Sequence, residues 1–518
     1  MDEYQYRLLC EACDRVLLAP DSTAERVAIS WLHIIREHPV FLANYADLFK
    51  SATDISVFVR RWRRILRNRA GWYRQIARAL RSDGKPWSGP KEMPRQVDVL
   101  FVSHLLNESH AGNSNDFYYG NLPDELGAHG YTAAIALINY SSLPGEVLVG
   151  KWNESDVPRI ILSSTLGIAE EHAIQRRMKQ ESRQLRKLAK TETPSLYRKV
   201  LAQASQEALS SGSRATLRIA TQIKELVAKL RPKAIVVTHE GHAWERVVFA
   251  KARGVIPEIQ CIGYQHAAVF RMQHAIRRNL MHRYNPEKIL TSGTASKSQL
   301  ENAPGLEEIE KTVLGSNRSF QEARTDVAGA ADQMHAAHAE ITACLVLPEG
   351  LAVECHRLFE FSLVCAQICP DVQFIWRLHP ILTFETLASQ NQKLRNLPSN
   401  VVLSRSTLED DLAVSRWALY RGTTAVFQAV MAGLRPIYLQ QQGEMTIDPL
   451  YELDVWRTII ANVQEFQQII RNDIGSSEWP PKTDIASARR YCRSYFLPLN
   501  VVALTALIEC GSKKQVLQ

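Results

Sequence analysis

The chain has 518 residues, 46% of them hydrophobic, with 62 Lys+Arg against 54 Asp+Glu and a net charge of +8. That length exceeds one ordinary core, so two or more domains are expected. No apolar run approaches the ~20 residues of a membrane span, and Met1-Asp2-Glu3-Tyr4-Gln5 lacks the basic-then-apolar order of a secretion signal, so a cytoplasmic protein is expected.

Residues 1–95 read as an N-terminal helical accessory region, with apolar positions such as Leu8, Leu9, Val16, Leu17, Val27, Ile29, Leu32 and Ile35 at helical spacing and no strand. Cys10 and Cys13 form a lone C-x-x-C with no second pair, which favours buried thiols over a metal or a disulfide. From Val57 to Arg81 the chain has no acidic residue, and Phe58, Trp62, Ile65, Leu66, Tyr73, Ile76 and Leu80 recur among arginines. Two readings are open: a helix lying on an anionic membrane surface, or an accessory helix packed on the main domain with a solvated basic face. No nucleic-acid motif accompanies the charge, so nucleic acid is not an expected partner. Ser82-Asp83-Gly84-Lys85-Pro86 marks a linker.

A strand–helix alternation follows. Expected strands are Val97–Ser103, Thr132–Ile138, Arg159–Leu162, Ala234–Thr238, Ile259–Tyr264, Lys288–Thr291 and Thr312–Leu314, with helices over 166–190, 195–230 and 243–253. Residues 316–340 are polar and Ala-rich and read as a connection. A second series then brings strands at Thr342–Leu347, Val372–Leu378, Val401–Leu403, Trp417–Tyr420, Arg435–Leu439 and Arg457–Ile460, a helix over 351–369 and another near 484–495. Short apolar strands joined by helical crossovers imply parallel sheets covered on both faces. The expected fold is therefore α/β: two doubly wound, Rossmann-like domains, 96–320 and 341–518, with a facing cleft.

In such sheets ligands bind beyond the carboxyl ends of the strands, and candidate residues cluster there. In the second half these are Pro348-Glu349-Gly350, Arg377-Leu378-His379-Pro380 and Arg421-Gly422-Thr423-Thr424. His379 offers a donor, and Thr423 and Thr424 offer hydroxyls at the start of a helix, a place suited to a phosphate. In the first half, Ala234–Thr238 runs into His239-Glu240-Gly241-His242-Ala243-Trp244-Glu245. An attacking hydroxyl needs a base, and Glu240 is the first candidate, Glu245 the second. His104, Asn107, Asp116, His239 and His266 are candidates to contact the acceptor, with Asp116 a further candidate base. No metal-binding spacing, Walker A loop or G-x-S-x-G elbow occurs.

From about residue 97 to 500, this order of motifs resembles glycosyltransferases of the two-Rossmann-domain type, called GT-B. More narrowly, Arg377-Leu378-His379-Pro380 followed by Gly422-Thr423-Thr424 resembles the His-Pro and paired-hydroxyl motifs of bacterial sialyltransferases and capsule Kdo transferases. His239-Glu240-Gly241 resembles their acidic-acidic-Gly motif, with His where the first acid stands and threonines where serines are usual. The stretch from Glu240 to His266 is also similar to uncharacterised surface-polysaccharide proteins, and polymerases using CDP-glycerol share similar elements.

The resemblance implies a donor activated by CMP and carrying a 2-keto sugar acid, no other cofactor, no metal, inverting displacement, and a surface polysaccharide or lipopolysaccharide acceptor, glycan or lipid-linked. It also implies peripheral association with the inner face of the cell membrane. A polyol-phosphate transferase and a non-catalytic, membrane-associated scaffold of polysaccharide synthesis are the alternative readings.

Overall fold

A computed structural model describes residues 1–516 apart from 51–54, 114, 142, 153–156, 320–341, 380 and 477–480. The connection expected over 316–340 lies mostly outside the described residues, as does Pro380. The helices used below are α1 (Glu3–Leu17), α2 (Ile55–Arg81), α3 (Ile168–Thr191), α4 (Leu196–Glu207), α5 (Ser211–Leu230), α6 (Ala243–Arg253), α7 (Ala352–Ile368), α8 (Val426–Ala432), α9 (Lys482–Arg493) and α10 (Val501–Val516).

The first sheet contains β1 (Trp87–Ser88), β2 (Val99–Leu105), β3 (Ala133–Asn139), β4 (Arg159–Leu162), β5 (Ala234–Thr238), β6 (Gln260–Gln265), β7 (Lys288–Thr291) and β8 (Glu310–Val313). Its spatial order is β1-β4-β3-β2-β5-β6-β7-β8, parallel throughout except for β1. The second sheet holds β9 (Ala343–Leu347), β10 (Gln373–Trp376), β11 (Val401–Leu403), β12 (Trp417–Tyr420), β13 (Arg435–Leu439) and β14 (Thr458–Ile460), all parallel, in the order β11-β10-β9-β12-β13-β14. Both sheets reverse direction of winding between their first and fourth parallel strands, the doubly wound order whose switch point forms a crevice. Those switch points lie between β2 and β5 and between β9 and β12.

The strands are apolar on both sides because both sides are covered. Leu100, Val102, Ile235 and Val237 face one core of the first sheet, while Val99, Phe101, Ala234 and Val236 face the other. In the second sheet, Ala343, Leu345 and Leu347 face one core and Cys344 and Val346 the opposite one. Hydrogen-bonded caps punctuate the crossovers: Ser210 accepts from the Ser213 amide at the start of α5, and Arg231 ends it in the left-handed region at φ 47°.

Three boundaries differ from the sequence expectation. The helical stretch 195–230 is broken into α4 and α5 at Ser210. The region 1–95 shares a core with the first sheet: Leu9, Val16, Val27, Leu32 and Leu42 pack in one cluster with Leu100 and Ile235, and its last residues supply β1. The C-terminal residues leave the second domain. After α9 the Leu497 amide donates to Ser292 O, the Ser316 amide to Leu497 O and the Asn500 amide to Leu314 O. Leu504, Leu507 and Ile508 of α10 then complete the second core of the first sheet. The physical reason is the same in both cases: each face of the first sheet has apolar area that its own crossover helices leave uncovered.

Among the described residues, no helix is long and apolar enough to cross a membrane.

Candidate active site

The carboxyl end of β5 turns sharply. His239 still follows the strand, its amide donating to Tyr264 O, so its side chain points to the same interior face as Ile235 and Val237. It is fully buried, and its Nδ1–H donates to the Glu245 carboxylate at 2.8 Å. Glu245, also buried, accepts from the amides of Gly241 at 2.8 Å and His242 at 3.0 Å and from that of Glu240, closing the first turn of α6 as a capping box. Two expected roles are therefore corrected: buried His239 does not reach an acceptor, and Glu245 spends its oxygens on holding the turn rather than on serving as a base. Gly241 makes the turn possible, with φ at 88° and no room for a Cβ against the Ala275 backbone.

The turn throws Glu240 outward, half-buried, with His242 Nε2 3.4 Å from its carboxylate. Burial alone would raise the Glu240 pKa. The hydrogen bond from His242 and the charges of His266, His242 and Arg36 outweigh it and hold the carboxyl below the usual range. Burial pulls His242 the other way, but Glu240 and Glu245 raise it above an ordinary imidazole.

Around Glu240 stands a cluster of rings from neighbouring strand ends. His104 of β2 stacks on Tyr140 at 5.4 Å and meets Trp244 edge-on at 5.3 Å, while Tyr118 meets His266 at 4.3 Å. Burial pushes His104 down to about 3, helped by the charges of His266 and His242, and pushes His266 down to about 4, helped by Arg318 and His242 and opposed by Glu240 and Glu245. The Nδ1 atoms of both are buried without a hydrogen-bond partner.

Asn107 and Asp116 have other duties. Asn107 Oδ1 accepts from the His110 amide, and buried Asp116 accepts from Ser103 Oγ at 2.9 Å and from the Tyr118 and Tyr119 amides. They shape the loop that presents Tyr118, so Asp116 is corrected as a free acceptor contact: it is buried, and its Oδ1 takes all three bonds.

These histidines predict a pH effect. Below 6.5 the unfolded chain takes up a proton at position 266 that the folded chain refuses until about 4. Stability that is present above pH 6.5 is therefore lost as pH falls through that window, by up to about 1.4 kcal/mol per pH unit for the group. The melting temperature should fall from pH 6.5 to 4, and His266→Phe should flatten that slope. Superimposable profiles of the two proteins would show that residue 266 stays solvated.

In the second domain three loops meet beyond the strand ends. A Cβ on Gly350 would lie 3.1 Å from His379 Nδ1, and one on Gly422 only 2.7 Å from Glu349 Oε2. Glycine at 422 thus lets the chain after β12 close on the loop after β9. Glu349 is buried, accepts from the imidazole of His38 and lies 3.6 Å from Arg36. Burial would raise its pKa, but His38, Arg36 and Arg421 lower it below the usual range. His379 is held below an ordinary imidazole by burial and by Arg318, against the pull of Glu349. Thr423 is buried, its Oγ1 accepting from the Ala425 amide at 3.3 Å just before α8, and Thr424 is half-buried.

Both arginines of these loops face elsewhere. Arg377, expected at the donor, donates to Asp411 at 2.7 Å and to Ser406 O, a correction that follows from the carboxylate lying beyond β11. Arg421 is buried, donating to Glu354 at 2.6 Å, Glu444 at 2.8 Å and Leu439 O.

The structure thus gathers Glu240, His104 and His266 on one side and Pro348, Glu349, Gly350, His379, Gly422, Thr423 and Thr424 on the other. Between them stands Arg36, whose charge acts on both Glu240 and Glu349. Arg318 similarly acts on His266 and His379. Arg36, His38 and Arg318 are not among the residues expected from sequence, and His242 appears there only as part of the run 239–245, with no role of its own. One signal was present: Arg36-Glu37-His38-Pro39 repeats the Arg-x-His-Pro pattern of 377–380.

The class that these two sheets and their shared cleft define is the two-Rossmann-domain, GT-B-like layout. No family model matches the chain, and no curated protein matches it. Solved structures with a similar layout include the glycotransferase of kitacinnamycin, at 12% identity and a TM-score of 0.45 over 81% of this chain and 100% of that one. A glycosyltransferase from Rickettsia africae aligns at 13% identity and 0.45, over 81% and 99%. The UDP-GlcNAc 2-epimerase from Methanocaldococcus jannaschii aligns at 11% and 0.41, over 76% and 98%.

Proposed function

We propose that this chain is a glycosyltransferase that takes its sugar from a nucleotide donor, CMP-activated in the first instance and carrying a 2-keto sugar acid, and passes it to a glycan or lipid-linked glycan of the cell surface. The observation that carries this reading is the meeting of the two switch points across Arg36, with an ionised carboxylate, Glu240, on one side and the cradle of Glu349, Gly350, His379, Gly422 and Thr423 on the other. Ligands of doubly wound sheets bind at such points, and a cleft between two of them suits a reaction of two substrates.

In the proposed step the acceptor hydroxyl gives its proton to Glu240 as its oxygen forms a bond to the anomeric carbon. The bond from that carbon to the nucleotide phosphate oxygen breaks, and its electron pair leaves with the phosphate. His379, neutral at pH 7 because its pKa is lowered, donates a hydrogen bond to that phosphate, and the hydroxyls of Thr423 and Thr424 add two more donors. Attack from the face opposite the leaving group inverts the anomeric centre. The step as written uses no metal.

A thermal-shift panel with CMP, CDP, UDP, GDP and ADP on wild type and His379→Ala tests the reading. A nucleotide at a hundredfold excess over its dissociation constant stabilises the folded state by about 2.7 kcal/mol. CMP is expected to raise the melting temperature of wild type and not of the variant. A response to UDP or GDP instead would discard the CMP donor and keep the transferase. No response to any nucleotide would discard both.

A further inference from the structure

Helix α2 divides its surface into three arcs. One arc packs on the first domain: Arg64 lies 3.2 Å from Glu207, Gln75 donates at 3.1 Å to Glu171, Trp72 meets His172 edge-on at 5.3 Å, and Ala79 is buried. A second arc is uncovered and, apart from the exposed Arg69, apolar. Phe58, Trp62, Leu66, Tyr73 and Leu80 are 60%, 50%, 58%, 70% and 66% exposed. At about 100° per residue these five fall within an arc of ~80°. The third arc, beside the second, carries Arg63, Arg67, Arg74, Arg78 and Arg81, all exposed and none in an ion pair among the described residues. Of the two readings of this segment, the structure bears on the packed helix: it packs on the first domain, but with a different face from its apolar stripe.

We propose that α2 seats the protein on an anionic phospholipid bilayer. The five apolar side chains would enter the boundary between headgroups and acyl chains, and the arginines would meet the phosphates. Charge selects this occupant. The helix carries nine arginines and no acid, so a second copy of the same face would meet like charge along its whole length. A nucleic acid would pair with the arginines and leave the stripe of large apolar side chains in water. The site also has a useful orientation. Gln75 donates to Ser164 O, just past the end of β4, so the C-terminal half of α2 runs beside the rim on which Glu240 and its ring cluster stand. A bilayer held by α2 would border the acceptor side of the cleft. The inference rests on α2 alone and stands whether or not the transferase reading does.

The test is sedimentation of the full-length protein with vesicles of phosphatidylcholine alone and of phosphatidylcholine mixed with phosphatidylglycerol. Binding to the mixed vesicles is expected to be at least about tenfold tighter and to weaken with salt. Trp62→Ser with Leu66→Ser, and separately Arg63→Glu with Arg67→Glu and Arg74→Glu, should each weaken it by about tenfold or more. Their melting temperatures should stay at the wild-type value, since the replaced side chains are exposed. Equal binding to both lipids, or variants that bind like wild type, would overturn the proposal. So would an equally tight complex with a single-stranded oligonucleotide, or a dimer that dissolves in the Trp62→Ser, Leu66→Ser protein without any vesicle binding.

Discussion

Glu240→Gln is expected to lower turnover by about 10²–10⁴-fold, the usual contribution of a positioned general base, while nucleotide-dependent stabilisation and the melting temperature stay close to wild type. The amide keeps the shape of the side chain and can still meet His242, but it cannot take a proton. Glu245→Gln should do the opposite. It weakens the acceptor of three backbone amides and of the buried His239, so its loss should show first as instability. Initial rates and melting curves measured side by side separate the two roles. A Glu240→Gln protein within about threefold of wild-type turnover, well short of what a lost base costs, would remove Glu240 as the base. Because the Glu240 carboxyl is held below its ordinary 4.5, the acid limb of the rate profile should also lie below that value.

Arg421→Ala should lower stability by about 3 kcal/mol, the low end of what breaking a buried ion pair costs, because Arg357 still meets the other oxygen of Glu354. Arg421 and Glu354 are both about 1% exposed, and the guanidinium also holds Glu444 and the Leu439 carbonyl. Removing it takes the partner from the inner oxygen of Glu354, beneath the strand end that carries Gly422, and leaves Glu354 and Glu444 to the more exposed Arg357 alone. Arg421→Lys should recover only part of the loss, since one ammonium cannot span three acceptors set for a planar fork. The measurement is the midpoint of urea unfolding for the three proteins. A loss below about 1 kcal/mol for Arg421→Ala, the range of an exposed pair, would mean that water reaches this pair.

Much of the architecture was legible because apolar strand runs and the turns that end them are local. Every strand of the second sheet has a local signal in its own residues, and so do the loops after β5, β9, β10 and β12. Some of the departures also have a local signal. His239 follows Ile235 and Val237 at the two-residue spacing of a strand, so its burial could have been read from parity. The repeated Arg-x-His-Pro at 36–39 was also in plain view. Other features had no local trace. Which of Arg36, Arg377 and Arg421 reaches the cleft depends on carboxylates far away in the chain: Glu349, Asp411 and Glu354. The breadth of the first domain was hidden for the same reason. Nothing in residues 501–508 says that their apolar face belongs to a sheet begun four hundred residues earlier.

That last arrangement has a consequence for the ribosome. A chain made from the N-terminus emerges with the first sheet's strands long before α10, which covers one of its faces. His38 likewise waits for a carboxylate 311 residues downstream, roughly 15–60 s at 5–20 residues per second. For that interval the nascent first domain presents uncovered apolar surface, the kind that invites chaperones and aggregation. A premature stop codon near residue 500 would therefore harm the domain made first, and leave the domain made last largely intact.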